Sequence, residues 1–180
     1  MREEMVRKRR ETWKWWTAAA VILLGTGLPS CSHSPDPVPS WEFGPGGIKI
    51  SYTADRNLNA MGDKPHALLL AVYQLTDPNP FNKLAKYQEG LKKLLEGQDV
   101  DPTVTAVRKV FVEPGGSKTI ELDRMEKTKW VGVVAGYYSL DPTKVSKAFE
   151  IPHKVETHGF ISKTKVATVP TFELHLVLGP

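Results

Sequence analysis

The chain is poor in cysteine: its 180 residues include one, Cys31. A single thiol has no intramolecular partner, so no disulfide framework holds this fold. It also lacks a long apolar run. The stretch Thr17 to Gly27 is eleven residues, and a membrane-spanning helix needs about 20. Charge of one sign is missing too. The first 30 residues hold six of the 24 Lys/Arg and three of the 20 Asp/Glu, so they account for most of the net charge of +4. The other 150 residues set 18 basic against 17 acidic groups. That balance argues against a nucleic-acid partner, and the length fits one ordinary domain.

Catalytic constellations are absent as well. The histidines (His33, His66, His153, His158 and His175) are scattered, with no pair at a standard metal spacing on a helix or hairpin. No G-x-S-x-G elbow occurs, and the Gly-Gly turns lack the lysine of a phosphate loop. No carboxylate pair is placed by sequence alone in a cleft. The expectation is a binding or structural protein with no cofactor, no metal and no small-molecule substrate.

What is present begins with Thr17 to Cys31, TAAAVILLGTGLPSC, behind a basic head of Arg2, Arg7, Lys8, Arg9, Arg10 and Lys14. A positive head, a short apolar run and small residues before a cleavage point make a secretory signal. Leu28-Pro29-Ser30-Cys31 adds a lipobox, in which the cysteine thiol takes a diacylglyceryl group. Pro29 is an uncommon choice there. Ser32 replaces the aspartate that retains lipoproteins in the inner membrane, so the expected address is the outer membrane, with the lipid of Cys31 as anchor. Two or three acyl chains at ~0.8 kcal/mol per buried CH₂ hold durably. Pro35, Pro37 and Pro39 then stiffen a tether. The expected layout is a signal over 1–30, the lipidated Cys31 and Pro/Gly-rich tether over 31–46, and a periplasmic β-sandwich domain over 47–180.

Within that domain, Gly47 to Asp55 alternates Ile48, Ile50 and Tyr52 with Lys49, Ser51 and Thr53. This period of two predicts a half-buried strand. His66 to Thr76 is apolar on both faces, as in a central strand. Between them, Arg56 to Pro65 (Arg56, Asn57, Leu58, Asn59, Ala60, Met61, Gly62, Asp63, Lys64, Pro65) is longer than a hairpin needs. A long loop on a rigid sandwich is a usual place for a binding surface, and Arg56, Asn57, Asn59 and Met61 are adaptable contact residues. Phe81, Leu84, Tyr87, Gln88, Leu91, Leu94 and Leu95 follow helical spacing, closed by Gly97, and predict one helix packed on the sheet.

Thr103–Glu113, Lys118–Arg124, Lys129–Ser139 and Thr171–Leu178 read as strands, and Lys154–Val169 as a strand pair bending at Gly159. Gly132 and Gly136 hint at close packing or a bulge. Asp141 to Phe149 reads as helical or irregular. Seven or eight short strands and one inserted helix make the fold class mainly β, an antiparallel β-sandwich.

The run Ile48-x-Ile50-x-Tyr52, Asn57-Leu58-Asn59, Pro65-His66-Ala67-Leu68, Val72-Tyr73-Gln74-Leu75 and Phe81, behind a lipobox and a proline-rich tether, resembles one family. Pro114-Gly115, Leu122-Asp123-Arg124 and Val131 to Tyr137 continue the likeness. The family is the outer-membrane lipoprotein of the type VI secretion system, TssJ. The resemblance implies a C2-like or transthyretin-like β-sandwich with an added helical piece, standing in the periplasm under the outer membrane. It also implies a structural role anchoring the secretion machine's membrane complex. The partner would be the periplasmic C-terminal region of the inner-membrane subunit TssM, contacted in part by the loop Arg56–Pro65. Two other readings stay open. A pocket lined by Trp130, Tyr137 and Tyr138 would favour a periplasmic lipoprotein that binds a small ligand or glycan. Clustering of His153 or His158 with carboxylates would favour a hydrolase.

Overall fold

The computed structural model describes residues 36–97, 101–159 and 164–180. Cys31 and the signal lie outside the described residues.

The described residues form nine strands and two helices, in chain order β1 (Gly44–Ala54), β2 (Leu68–Leu75), α1 (Asn79–Ala85), α2 (Gln88–Glu96), β3 (Val104–Val112), β4 (Ser117–Arg124), β5 (Trp130–Ala135), β6 (Ser146–Glu150), β7 (Lys154–His158), β8 (Thr164–Thr168) and β9 (Phe172–Leu178). One sheet has the order β4-β1-β9, the second β3-β2-β5-β6, and β7 with β8 forms a separate ribbon. This is the mainly β sandwich expected. Every pairing is antiparallel except β1 with β9, which run parallel.

The alternation in β1 turns Ile48, Ile50 and Tyr52 inward, where they meet Leu68, Leu70, Val72, Val112, Val131 and Val133 in the core between the sheets. β2 is buried on both faces for two different reasons. Its even-numbered residues face the other sheet, while Ala71, Tyr73 and Leu75 lie under Phe81, Leu91 and Leu94 of the helices. Gln74 is the polar exception in β2, buried but with both ends of its amide hydrogen-bonded. It donates to the Asp123 carbonyl (2.9 Å) and accepts from the Met125 N–H (2.8 Å), so a buried polar group costs little.

The single helix expected between Pro80 and Glu96 is two. Tyr87 takes an extended conformation (φ −132°, ψ 145°) and breaks the run. Gly90 then lets α2 approach the end of α1, since a Cβ there would lie 2.0 Å from the Leu84 carbonyl oxygen. Side-chain periodicity survives the break because both segments lay their apolar residues on the same sheet face. Gly132 serves packing too: a Cβ would meet the Phe81 ring at 2.8 Å.

Two further expectations change. The stretch Asp141–Phe149, read as helical or irregular, ends in strand β6, which pairs with β5 over Val134↔Ser146 to Trp130↔Glu150. Its polar composition fits an edge strand, which has one exposed flank. And β1 starts at Gly44, inside the stretch expected as tether. Trp41 packs partly buried on the core, with the Arg124 guanidinium 5.9 Å over its ring and His153 edge-on at 6.4 Å. Arg124 is itself buried and donates to the Glu42 carbonyl at 3.2 Å. Burial lowers its pKa from the ordinary guanidinium value.

Candidate partner-binding pole

At ~3.3 Å per residue, the eleven residues of β1 span roughly 33 Å. They run from Trp41 at one pole of the sandwich to the loop Arg56–Pro65 at the other. Antiparallel pairing brings the β3–β4 turn and the segment after β5 to this second pole, and the parallel pairing of β9 with β1 brings the end of β9 there.

Asp55 is where these segments join. Its N–H donates to the Leu178 carbonyl (2.8 Å), and its own carbonyl accepts from Leu58 (3.1 Å) and Gly115 (2.9 Å). Its carboxylate accepts the Asn57 N–H at 2.7 Å, the bond of an Asx turn. Leu58 is driven into the core, fully buried. Asn59 follows in the left-handed region (φ 49°), which asparagine tolerates better than most residues. It is buried too: its side chain donates to the Ala67 carbonyl (3.3 Å) and accepts the Tyr138 N–H (2.8 Å). Asn59 therefore has a structural position inside the loop and is not an exposed contact.

The rest of the loop is exposed. Arg56 and Asn57 stand on one side, and Ala60, Met61, Gly62, Asp63, Lys64 and Pro65 form the tip. Met61 and Lys64 exchange backbone hydrogen bonds (3.0 and 3.4 Å) around Gly62, and the Met61 side chain is 65% exposed. His66 holds an edge-on contact with Tyr138 at 5.1 Å between centroids. Tyr138 nonetheless presents most of its ring to solvent. Phe111 in β3 and Val177 in β9, both next to the ends of their strands at this pole, are the other large exposed apolar side chains here.

Two clefts flank the loop. One, of about 440 Å³, is lined by Asn59, Ala60, Tyr137, Tyr138, Asp141 and Lys144 among others. The second runs along Asp55, Arg56 and Asn57 to Val177 and Gly179. In the first, hydrogen bonds from the Thr143 N–H (2.9 Å) and hydroxyl (2.8 Å) hold the Asp141 carboxyl below its ordinary pKa. Lys144 lies 3.7 Å from the same carboxylate. The pole is thus apolar at four separate points with mixed charges between them, on a backbone tied at every segment. Such a surface suits docking of a protein.

The pocket residues named from sequence do not all meet. Tyr137 and Tyr138 line the first cleft, whereas Trp130 sits at the opposite end of β5 against the helix-covered core. His153 contacts Trp41, and His158 pairs with Glu156 at 3.4 Å on β7. Among the described residues, no three His, Cys, Asp or Glu side chains are grouped to hold a metal ion. Phe111, Val177, Asp141 and Lys144 were not singled out from the sequence as site residues, because only strand register brings them to this pole.

Residues 47–169 match the family described as type VI secretion lipoprotein, VasD, EvfM, TssJ. Among solved structures, Serratia marcescens Lip, described as a membrane-bound component of the type VI secretion system, superposes with a TM-score of 0.54 at 20% identity over 73% of this chain and 90% of that one. The lipoprotein TssJ1 of Pseudomonas aeruginosa gives 0.52 at 20% identity, over 74% and 95%. A chain from a structure described as the TssM C-terminal domain from EAEC gives 0.52 at 18%, over 73% and 90%. These likenesses show the fold. Comparison with curated proteins gave no match.

Proposed function

The chain belongs to the type VI secretion lipoprotein family that includes TssJ, and on that premise we propose that it is the lipid-anchored scaffold of the secretion system's membrane complex. Acylated Cys31 holds it in the outer membrane, and residues 44–180 stand in the periplasm. The Arg56–Pro65 pole grips the periplasmic C-terminal region of TssM. The role is structural, with no reaction of its own.

One observation carries this reading. The pole with the exposed Met61 and Tyr138 is rigidly braced and stands at the far end of β1 from the tether. A surface at the opposite end of β1 from the segment that leads back to Cys31 is placed to meet a partner that rises from the other membrane. The TssM named with one of the superposed structures supports the choice of partner.

The test is titration of the purified domain with the periplasmic region of TssM. Replacing the exposed Met61 and Tyr138 by alanine should weaken binding tenfold or more, about 1.4 kcal/mol, while the melting temperature stays that of the wild type. Equal binding by such a variant would refute the assignment. Anchoring is tested separately: Cys31→Ser should abolish incorporation of a fatty-acid probe, and equal labelling of both proteins would sink it.

A further inference from the structure

Among the described residues, the β7–β8 ribbon is the part of the chain that joins neither sheet. All its residues are exposed except Ala167, which is half-buried. A two-stranded ribbon is marginal by itself in water, since each strand has one neighbour and neither face is covered. This one is rooted at the tether pole. It leaves β6 through Ile151 and His153, beside Trp41, and returns to β9 at Phe172, the register partner of Ile48 near the start of β1.

The tether is pinned to it. Lys165 of β8 donates to the Asp36 carboxylate at 2.5 Å. Asp36 follows Cys31 by five residues, which reach at most about 18 Å at ~3.6 Å each. Register sorts the ribbon's faces: Lys154, Glu156 and His158 share one with Val166 and Thr168, while Val155 and Thr157 share the other with Lys165 and Ala167. The second face has no ribbon carboxylate and an aliphatic pair, Val155↔Ala167.

We propose that the β7–β8 ribbon is a membrane-contact element. Its face of Val155, Thr157, Lys165 and Ala167 turns toward the phosphate headgroups of the bilayer that holds Cys31. The inference rests on acylation at Cys31, as argued above, and adds an orientation that the anchor alone does not supply. An acyl chain on a free tether lets a domain tumble. A tether pinned five residues past the lipid, with a second contact through the ribbon, holds the long axis of β1 upright and aims the Met61 pole away from the membrane. The aliphatic pair and the threonine suit the headgroup boundary, and Lys165, paired with Asp36, keeps the tether against this face.

The test uses the acylated full-length protein in vesicles of phosphatidylethanolamine and phosphatidylglycerol carrying a headgroup quencher. Acylation consumes the Cys31 thiol, so Val155→Cys or Met61→Cys supplies the single free thiol for a fluorophore. Both sites are exposed, and neither change disturbs the core. Quenching at position 155 should exceed that at 61 several-fold, and Lys165→Glu, which sets like charges against Asp36, should bring the two together. Equal quenching at both positions in the unaltered background overturns the proposal, as does stronger quenching at 61. Protein that fails to float with the vesicles refutes the Cys31 anchor instead, and the orientation falls with it.

Discussion

The backbone N–H of Tyr138 donates to the side-chain oxygen of Asn59 across 2.8 Å, joining segments 79 positions apart. The bond ties an exposed aromatic residue of the candidate pole to a buried residue of its loop. Asn59→Ala should lose it together with the bond to Ala67, leaving the Tyr138 N–H without a partner and an alanine in the left-handed region. An orphaned donor costs about 1–3 kcal/mol, and the left-handed backbone adds about 1–2. Asn59→Gly removes the second cost only. Urea unfolding should therefore rank wild type above the glycine variant and the glycine above the alanine.

Leu58 and Met61 lie three residues apart and should respond very differently to truncation. Leu58→Ala empties a fully buried site and should cost about 2–5 kcal/mol. Met61→Ala changes an exposed side chain and should stay within about 0.5 kcal/mol. Thermal unfolding of the two single variants separates them. A loop cut back to a tight turn that includes Leu58 fails for reasons of folding, so binding studies need a shortening confined to residues 60–65.

Gly90→Ala should destabilise, against the ordinary helix preference of alanine by about 1 kcal/mol. The new methyl group would stand 2.0 Å from the Leu84 carbonyl oxygen, and backbone must move to admit it. Denaturation midpoints decide the sign. A more stable alanine variant would show that the contact between α1 and α2 is loose.

Tyr73 links pH to stability. Its hydroxyl donates to the Leu94 carbonyl beneath α2, and burial pushes its pKa up from 10.0 to about 12. A folded-state pKa above the unfolded one means that the folded state keeps its proton longer. The stabilisation is complete below pH 10 and is lost as pH rises from about 10 to about 12, with a magnitude of order 2 kcal/mol. Tyr73→Phe should flatten that alkaline limb while lowering stability at neutral pH by about 1 kcal/mol. Urea titrations at a series of alkaline pH values measure both.

The strands with one buried face or two were legible from residue order, since Ile48, Ile50 and Tyr52 obey a period of two and His66–Thr76 is apolar throughout. The loop was legible as a long irregular connection. Its internal division was not. Leu58 and Asn59 turn inward because Asp55, Ala67 and Tyr138 hold them, and such partners are invisible in a local window. The break at Tyr87 was hidden because both helices serve one face, so the apolar spacing runs on across it. β6 was missed for the converse reason: an edge strand with a polar flank shows little alternation. From sequence Trp41 reads as part of the tether because prolines precede it, although Arg124 and His153 fasten it to the sandwich.

The parallel pairing of β1 with β9 has a consequence for the order in which the molecule can be completed. Ser51 and His175 are neighbours at 3.0 Å although 124 residues separate them. The first strand laid down is thus the middle strand of its sheet, open along one side until almost all of the chain has been delivered. Contacts of such long range slow folding, and an unpaired strand flank invites pairing with other chains meanwhile. A polypeptide carried across a membrane from its amino end arrives in that unfinished state. Its own last strand closes the flank, which makes the time between the arrival of β1 and of β9 its most vulnerable interval.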